Sequence, residues 1–167
     1  MSTPTNLPAA LREGVAIAEA LIQELVALAP QPRPDPGTLE PLYATAMAAM
    51  NGRQHEQAQA VFGVLVGQAP DDWRFHAGLA EAHALCADLD SAHLHYALAI
   101  HLAPENLALR LSMAQVLMAQ ELTGQARLLL WQVAALTGSQ PGQDKLHERA
   151  KALLQLAEGS SDKLTSS

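Results

Sequence analysis

The chain has 167 residues, 49% of them apolar and 16% charged, enough for one ordinary domain or one short array of repeats and too apolar for wholesale disorder. Ten basic residues stand against 17 acidic ones, net −7, with no Lys/Arg cluster, which argues against nucleic acid or an anionic membrane as a partner. One cysteine, Cys86, permits neither an intramolecular disulfide nor a cysteine-based zinc site.

Met1 to Pro8 has no basic run followed by an apolar core, so no secretory signal is expected. Residues 9–29 predict an amphipathic helix, with Leu11, Val15, Ala18, Leu21, Ile22, Leu25 and Leu28 at three- and four-residue spacings. Pro30–Gly37 holds four prolines in eight residues, which stops a helix and predicts a stiff connector. Residues 1–37 thus form an arm. Its apolar face (Leu21, Ile22, Leu25, Leu28) packs either on the rest of the chain or on a second copy, and a homodimer is the favoured reading because such a face is otherwise an aggregation liability. No apolar stretch is long enough to cross a membrane.

From Leu39 the sequence becomes periodic. Ala46, Ala80 and Ala114 are 34 apart, as are Ala58, Ala92 and Ala126; Phe62, Tyr96 and Leu130; and Pro70, Pro104 and Gly138. The pattern predicts three helix-turn-helix units over 38–138. Small residues sit where helices cross, large ones fill the gap to the next unit, and Pro or Gly ends the second helix. Helices are expected near 39–50, 55–68, 72–86, 89–102, 106–120 and 123–137, with Asp71 or Asp72, and Asn106, as N-caps. A capping helix is expected near 143–156, within 139–158, with Leu146, Ala150, Leu153 and Leu154 on one face. A disordered tail is expected over 159–167. The fold class is therefore all-α.

This register resembles the tetratricopeptide repeat. The second unit matches best, at Trp73, Leu79-Ala80, Ala92, Tyr96, Ala99 and Pro104. The layout of arm, break, three repeats and cap is similar to the class II chaperones of bacterial type III secretion, the tetratricopeptide chaperones of translocator proteins. Leu39–Gly52 and the runs Asp72-Trp73-Arg74-Phe75 and Gly78-Leu79-Ala80 carry that likeness. The resemblance implies a cytoplasmic bacterial protein whose concave groove holds an extended N-terminal segment of a secreted translocator and keeps it soluble before export. It also implies an arm helix that takes part in dimerisation.

In such a solenoid the first helix of each unit lines the groove. Tyr43, Met47 and Met50 share one helical face; the same columns hold Ala77, Glu81 and Ala84, then Leu111, Gln115 and Met118. Methionine adapts to varied partner side chains, and small alanines leave room for a partner's Leu or Pro. The other reading of Met47, Met50 and Met118 is plain core. Glu81 and Gln115 are either hydrogen-bonding groups for a bound backbone or ordinary surface residues.

His76 and His83 could share a face, whereas His93 and His95 point apart, and HExxH is absent, so no metal is expected. Cys86 is expected to be buried and inert, and Trp73 and Trp131 to be packing residues. No phosphate loop, nucleophile elbow or paired carboxylates are present, so neither catalysis nor a cofactor is expected. The alternative to a chaperone is a tetratricopeptide scaffold that docks into a larger assembly without a secreted client.

Overall fold

The computed structural model describes residues 35–138 and 142–164; the expected arm helix, with Leu21, Ile22, Leu25 and Leu28, lies outside the described residues. Among the described residues there are seven helices and no strand: α1 (Pro36–Asn51), α2 (His55–Gln68), α3 (Trp73–Leu85), α4 (Leu89–Leu102), α5 (Leu107–Ala119), α6 (Thr123–Thr137) and α7 (Asp144–Leu164). Each helix packs on the next in the chain, and α7 packs on both α6 and α5. The architecture is an all-α tetratricopeptide-type array of three units closed by a seventh helix.

The 34-residue period is written into the backbone as well as the side chains. Within each unit the first helix ends the same way. The N–H groups of Gln54, Asp88 and Leu122 donate to the carbonyls of Ala49, His83 and Leu117 at 2.9, 3.0 and 2.8 Å. The residue before each donor is left-handed: Arg53 at φ 57°, Ala87 at φ 63° and Glu121 at φ 63°. This is the helix stop that glycine normally serves. Gly52, which looks like that glycine in the sequence, has φ −78° instead, and Arg53 carries the left-handed turn.

Between units the chain turns after Pro70 and Pro104, and the next helix is capped. Asp72 Oδ1 accepts from Arg74 N–H at 2.9 Å, and Asn106 Oδ1 accepts from Ala108 N–H at 3.2 Å. Both are caps read from the sequence, and each satisfies one of the helix's orphan donors.

Packing follows the columns. Ala46, Ala58, Ala80, Ala92, Ala114 and Ala126 have no exposed surface. Phe62 and Leu130 are equally covered, and Tyr96 is 6% exposed. Each large residue reaches the following unit: Phe62 meets α3, Tyr96 packs with Val116 and Met113 of α5, and Leu130 packs with Ala150 of α7. Gly78 permits the tightest of these contacts, because a Cβ there would overlap the Phe62 ring. On α7, Ala150 is fully buried and Leu146, Leu153 and Leu154 pack on the third-unit core. Its N-terminal end is fastened by His147 Nδ1, 3.0 Å from the Ala134 carbonyl oxygen and 3.1 Å from Thr137 Oγ1.

Four expectations are corrected. Helix α1 starts at Pro36, inside the expected connector, because a proline at the first helical position forgoes an N–H that has no partner there anyway. Helix α7 runs to Leu164, through the first part of the expected tail; a lone Gly159 costs a helix only about 1 kcal/mol. Cys86 is exposed, since it caps the C-terminus of α3 at a turn. Trp131 is 64% exposed, one position past buried Leu130, so most of its ring lies outside the core. Trp73 does pack, against Ala99, Ala103 and Leu109.

Two substitutions test this account. Gly78→Ala should destabilise the chain by about 1–3 kcal/mol, because the buried Phe62 ring has nowhere to move. Ala87→Gly should stabilise it by about 0.5–1 kcal/mol, the left-handed penalty relieved less the entropy glycine adds to the unfolded chain. Urea midpoints measure both; an unchanged midpoint for Gly78→Ala would break the α2–α3 contact as described.

Candidate functional site

The first helices α1, α3 and α5 follow one another at the repeat period, and side chains 34 residues apart make contacts at both ends of the series. Arg74 Nη2 donates to Glu40 Oε1 at 2.9 Å, linking α3 to α1. Arg149 Nη2 faces Gln115 Oε1 at 3.4 Å, linking α7 to α5. Helix α7 thus takes the place of a first helix in a fourth unit.

At the α1 end Tyr43 sits half-buried in an aromatic nest. Its ring meets Phe62 edge-on, centroids 6.1 Å apart, and lies 5.7 Å from Phe75. The Arg74 guanidinium covers Tyr43 and Phe75, 5.3 and 5.5 Å from their centroids. The cation is itself held by Asp72, with Nη2 donating to Oδ2 at 2.7 Å. Burial alone would raise the Asp72 carboxyl, but the hydrogen bonds and charge of Arg74 outweigh it and hold the group below the usual carboxylate range. The same two carboxylates, Asp72 and Glu40, hold the guanidinium firmly protonated.

The other positions on this face differ in access. Met47 is 38% exposed, and Glu81 and Gln115 are exposed and half-exposed. Met50, Ala77, Ala84 and Met118 are half-buried, each packed against a core cluster with part of its surface free. Leu111 departs from the expectation: it is 2% exposed and belongs to the core with Leu107, Ala114 and Leu117. The face is therefore apolar at α1, small at α3, and polar at its centre, where Glu81 stands. Glu81 also acts on the floor beneath it. Burial, with the Glu81 charge adding and a hydrogen bond to Ser112 opposing, pushes the Tyr96 phenol up to about 12.

Arg74 and Glu40 were not singled out in the sequence. The signal was present, because they occupy one column of the repeat with opposite charges. The sequence pairs His76 with His83 on one face and only turns His95 away from His93; in the structure the His95 ring lies against both His76 and His83. Among the described residues no three His, Cys, Asp or Glu side chains converge as a metal site, and no helix is long and apolar enough to cross a membrane.

No family model and no curated protein sequence matches the chain. Solved structures do. The Yersinia enterocolitica type III secretion translocator chaperone SycD aligns with a TM-score of 0.73 at 22% identity, over 77% of this chain and 89% of that one. PcrH of Pseudomonas aeruginosa, in complex with the chaperone-binding region of PopD, gives 0.72 at 21% identity, over 77% and 96%. A type III secretion complex from Aeromonas hydrophila gives 0.72 at 18% identity, over 88% and 98%.

Arg74→Met should cost about 1 kcal/mol, since its ion pairs are partly exposed and the ring contact adds little more. The carboxyl of Asp72 is depressed, so its contribution is present above the ordinary carboxylate value near 3.8 and is lost as pH falls through the lowered one. The melting-temperature gap between wild type and variant should therefore narrow in acid; a gap that stays constant into strong acid would remove Asp72 from the arrangement. On backbone geometry, this chain has the fold of the type III secretion translocator chaperones.

Proposed function

We propose that the chain is an ATP-independent chaperone of the bacterial cytoplasm that holds an extended apolar segment of a type III secreted translocator on the α1–α3–α5 face and keeps it soluble before export. The observation that carries this reading is the face itself: Tyr43, Met47, Met50, Ala77, Ala84 and Met118 keep part of their surface free on one side of a preformed array. Two similar structures are complexes, PcrH with the chaperone-binding region of PopD and SycD with a peptide of the translocator YopD. The likeness of fold over most of both chains supports the same use here. Half-buried methionines and alanines suit an occupant of small and branched side chains, and Glu81 offers a carboxylate to its backbone N–H groups. Leu111, 2% exposed, supports the face from the core in this reading. Capture of this kind needs no catalytic group and no cofactor. A homodimer through the arm face of Leu21, Ile22, Leu25 and Leu28 belongs to the same reading, and one of the SycD structures is an alternative dimer.

Tyr43 is a poor probe of binding, because the nest of Phe62, Phe75 and Arg74 depends on it. Met47 is a clean one. Met47→Glu should leave stability within about 0.5 kcal/mol, as an exposed substitution does, yet weaken client binding about tenfold or more. The experiment is co-expression with the secreted proteins encoded beside this chain, followed by size exclusion with light scattering. A soluble complex that Met47→Glu disrupts carries the proposal. Neighbours that stay insoluble while the chain elutes unchanged would sink it in favour of a scaffold.

A further inference from the structure

Three imidazoles meet between α3 and α4, beneath the proposed client face. His76 is 5% exposed; its Nε2 lies 3.0 Å from the Pro70 carbonyl oxygen and its Nδ1 lies 3.2 Å from His95 Nδ1. The His95 ring stacks on His83, centroids 5.7 Å and planes 11° apart. His83 Nδ1 is 3.0 Å from Asp88 Oδ2, and the Gln59 side-chain amide of α2 comes within 3.0 Å of the same nitrogen.

The hydrogens in this cluster follow from the partners. A carbonyl oxygen only accepts, so His76 Nε2 carries the hydrogen. Neutral His76 then has a lone pair at Nδ1, and His95 Nδ1–H donates to it. The uncharged pair is satisfied at these three nitrogens. A proton added at His76 Nδ1 sets two N–H groups face to face unless His95 changes tautomer, and a second proton leaves no acceptor between the rings.

The carboxylates nearest the cluster are shared with other partners, and His95, between the other two rings, is paired with none of them in the contacts described. On the His76 side Asp72 feels the His76 charge but is also bound to Arg74, which in turn pairs with Glu40 of α1; Asp71 is its neighbour in the chain. Asp88, on the α3–α4 turn, serves His83 and the Ser91 N–H. Helix α5 brings Ser112, Met113 and Val116 to the adjoining Tyr96, none of them charged, and Glu81 acts on Tyr96 from α3.

We propose that His76, His95 and His83 form a proton-sensitive latch that clamps α3 to α4 while uncharged and loosens the second repeat, and with it the client face, when protonated. The second half of this statement rests on the chaperone reading; the first does not. Burial, followed by the charges of His76 and His83, holds the His95 imidazole below its ordinary value. The unfolded chain therefore binds a proton that folded His95 refuses. Folded stability is complete above the ordinary imidazole value and drains away as pH falls through it toward the lowered one.

The test is urea unfolding of the full chain at about pH 7.5 and about pH 5.5, for wild type and His95→Gln. Glutamine can still donate to His76 Nδ1 but does not titrate. The wild-type midpoint should fall in acid and the variant's should hold; parallel falls overturn the latch. Should the variant not fold, the imidazole C–H resonances of the wild type decide it. His95 titrating at or above the ordinary range, without disturbing His76 and His83, overturns the latch. The co-purified complex is then moved between the same two pH values. Release in acid carries the link to the client face, and a complex that persists while the free chain weakens overturns that link alone. Failure to recover any complex sinks the chaperone reading and leaves the free-chain result standing.

Discussion

The array depends on how closely consecutive helices approach. Six alanines in two columns have no exposed surface, and at Gly78 even a methyl group would overlap the Phe62 ring. Close approach lets one large residue per unit bridge to the next, as Phe62, Tyr96 and Leu130 do. A unit alone leaves its large residue uncovered, so no unit is a stable fold by itself. The last one is completed by α7, and Ala150 meets Leu130 in the role that the next repeat's first helix would otherwise play.

The same geometry sets what the first-helix face can offer. A helix packed on two neighbours spends most of its circumference on them, which is why Met50, Ala77 and Ala84 keep only part of their surface and Leu111 keeps almost none. Helix α7 contacts α5 as well as α6, so the third column is more enclosed than the first. Among the side chains of this face, the large apolar ones with free surface are concentrated toward α1, beside a guanidinium pinned by two carboxylates. An extended segment lying there would meet methionine and aromatic surface at one end and the Glu81 carboxylate at the centre.

The 34-residue columns made the six repeat helices, their caps at Asp72 and Asn106, and the buried alanines legible, because each is a local or nearest-neighbour consequence of spacing. The left-handed turns were hidden. They fall at Arg53, Ala87 and Glu121, residues that announce nothing, while the more suggestive Gly52 stays right-handed. The proposed face was legible as columns but not as access: Tyr43 and Leu111 share a column, yet Tyr43 is half-buried while Leu111 is enclosed in the third-unit core. The His95 contact was missed for a different reason. Intrahelical spacing says which side chains share a face of one helix and nothing about which face of α4 turns toward α3. Cys86 and Trp131 were misjudged on residue type, which ranks cysteine and tryptophan as interior and ignores that one sits on a turn and the other lies mostly outside the core.

Position along the array decides what any one interface can control. Stability here is a chain of nearest-neighbour terms, so an end unit answers to one neighbour and a middle unit to two. Helix α3 carries Gly78 against Phe62 on one side and the imidazole contacts to α4 on the other, and it supplies Ala77, Glu81 and Ala84 to the central face. Loosening it would uncouple the aromatic nest of the first unit from the enclosed core of the third, and would remove the middle of the face in the same step. A charge placed between α6 and α7 would free only a terminal helix. The imidazoles of the second repeat, one buried and two half-buried, stand where the first and third units are joined, and that position is what would let the proposed latch act on the whole α1–α3–α5 face.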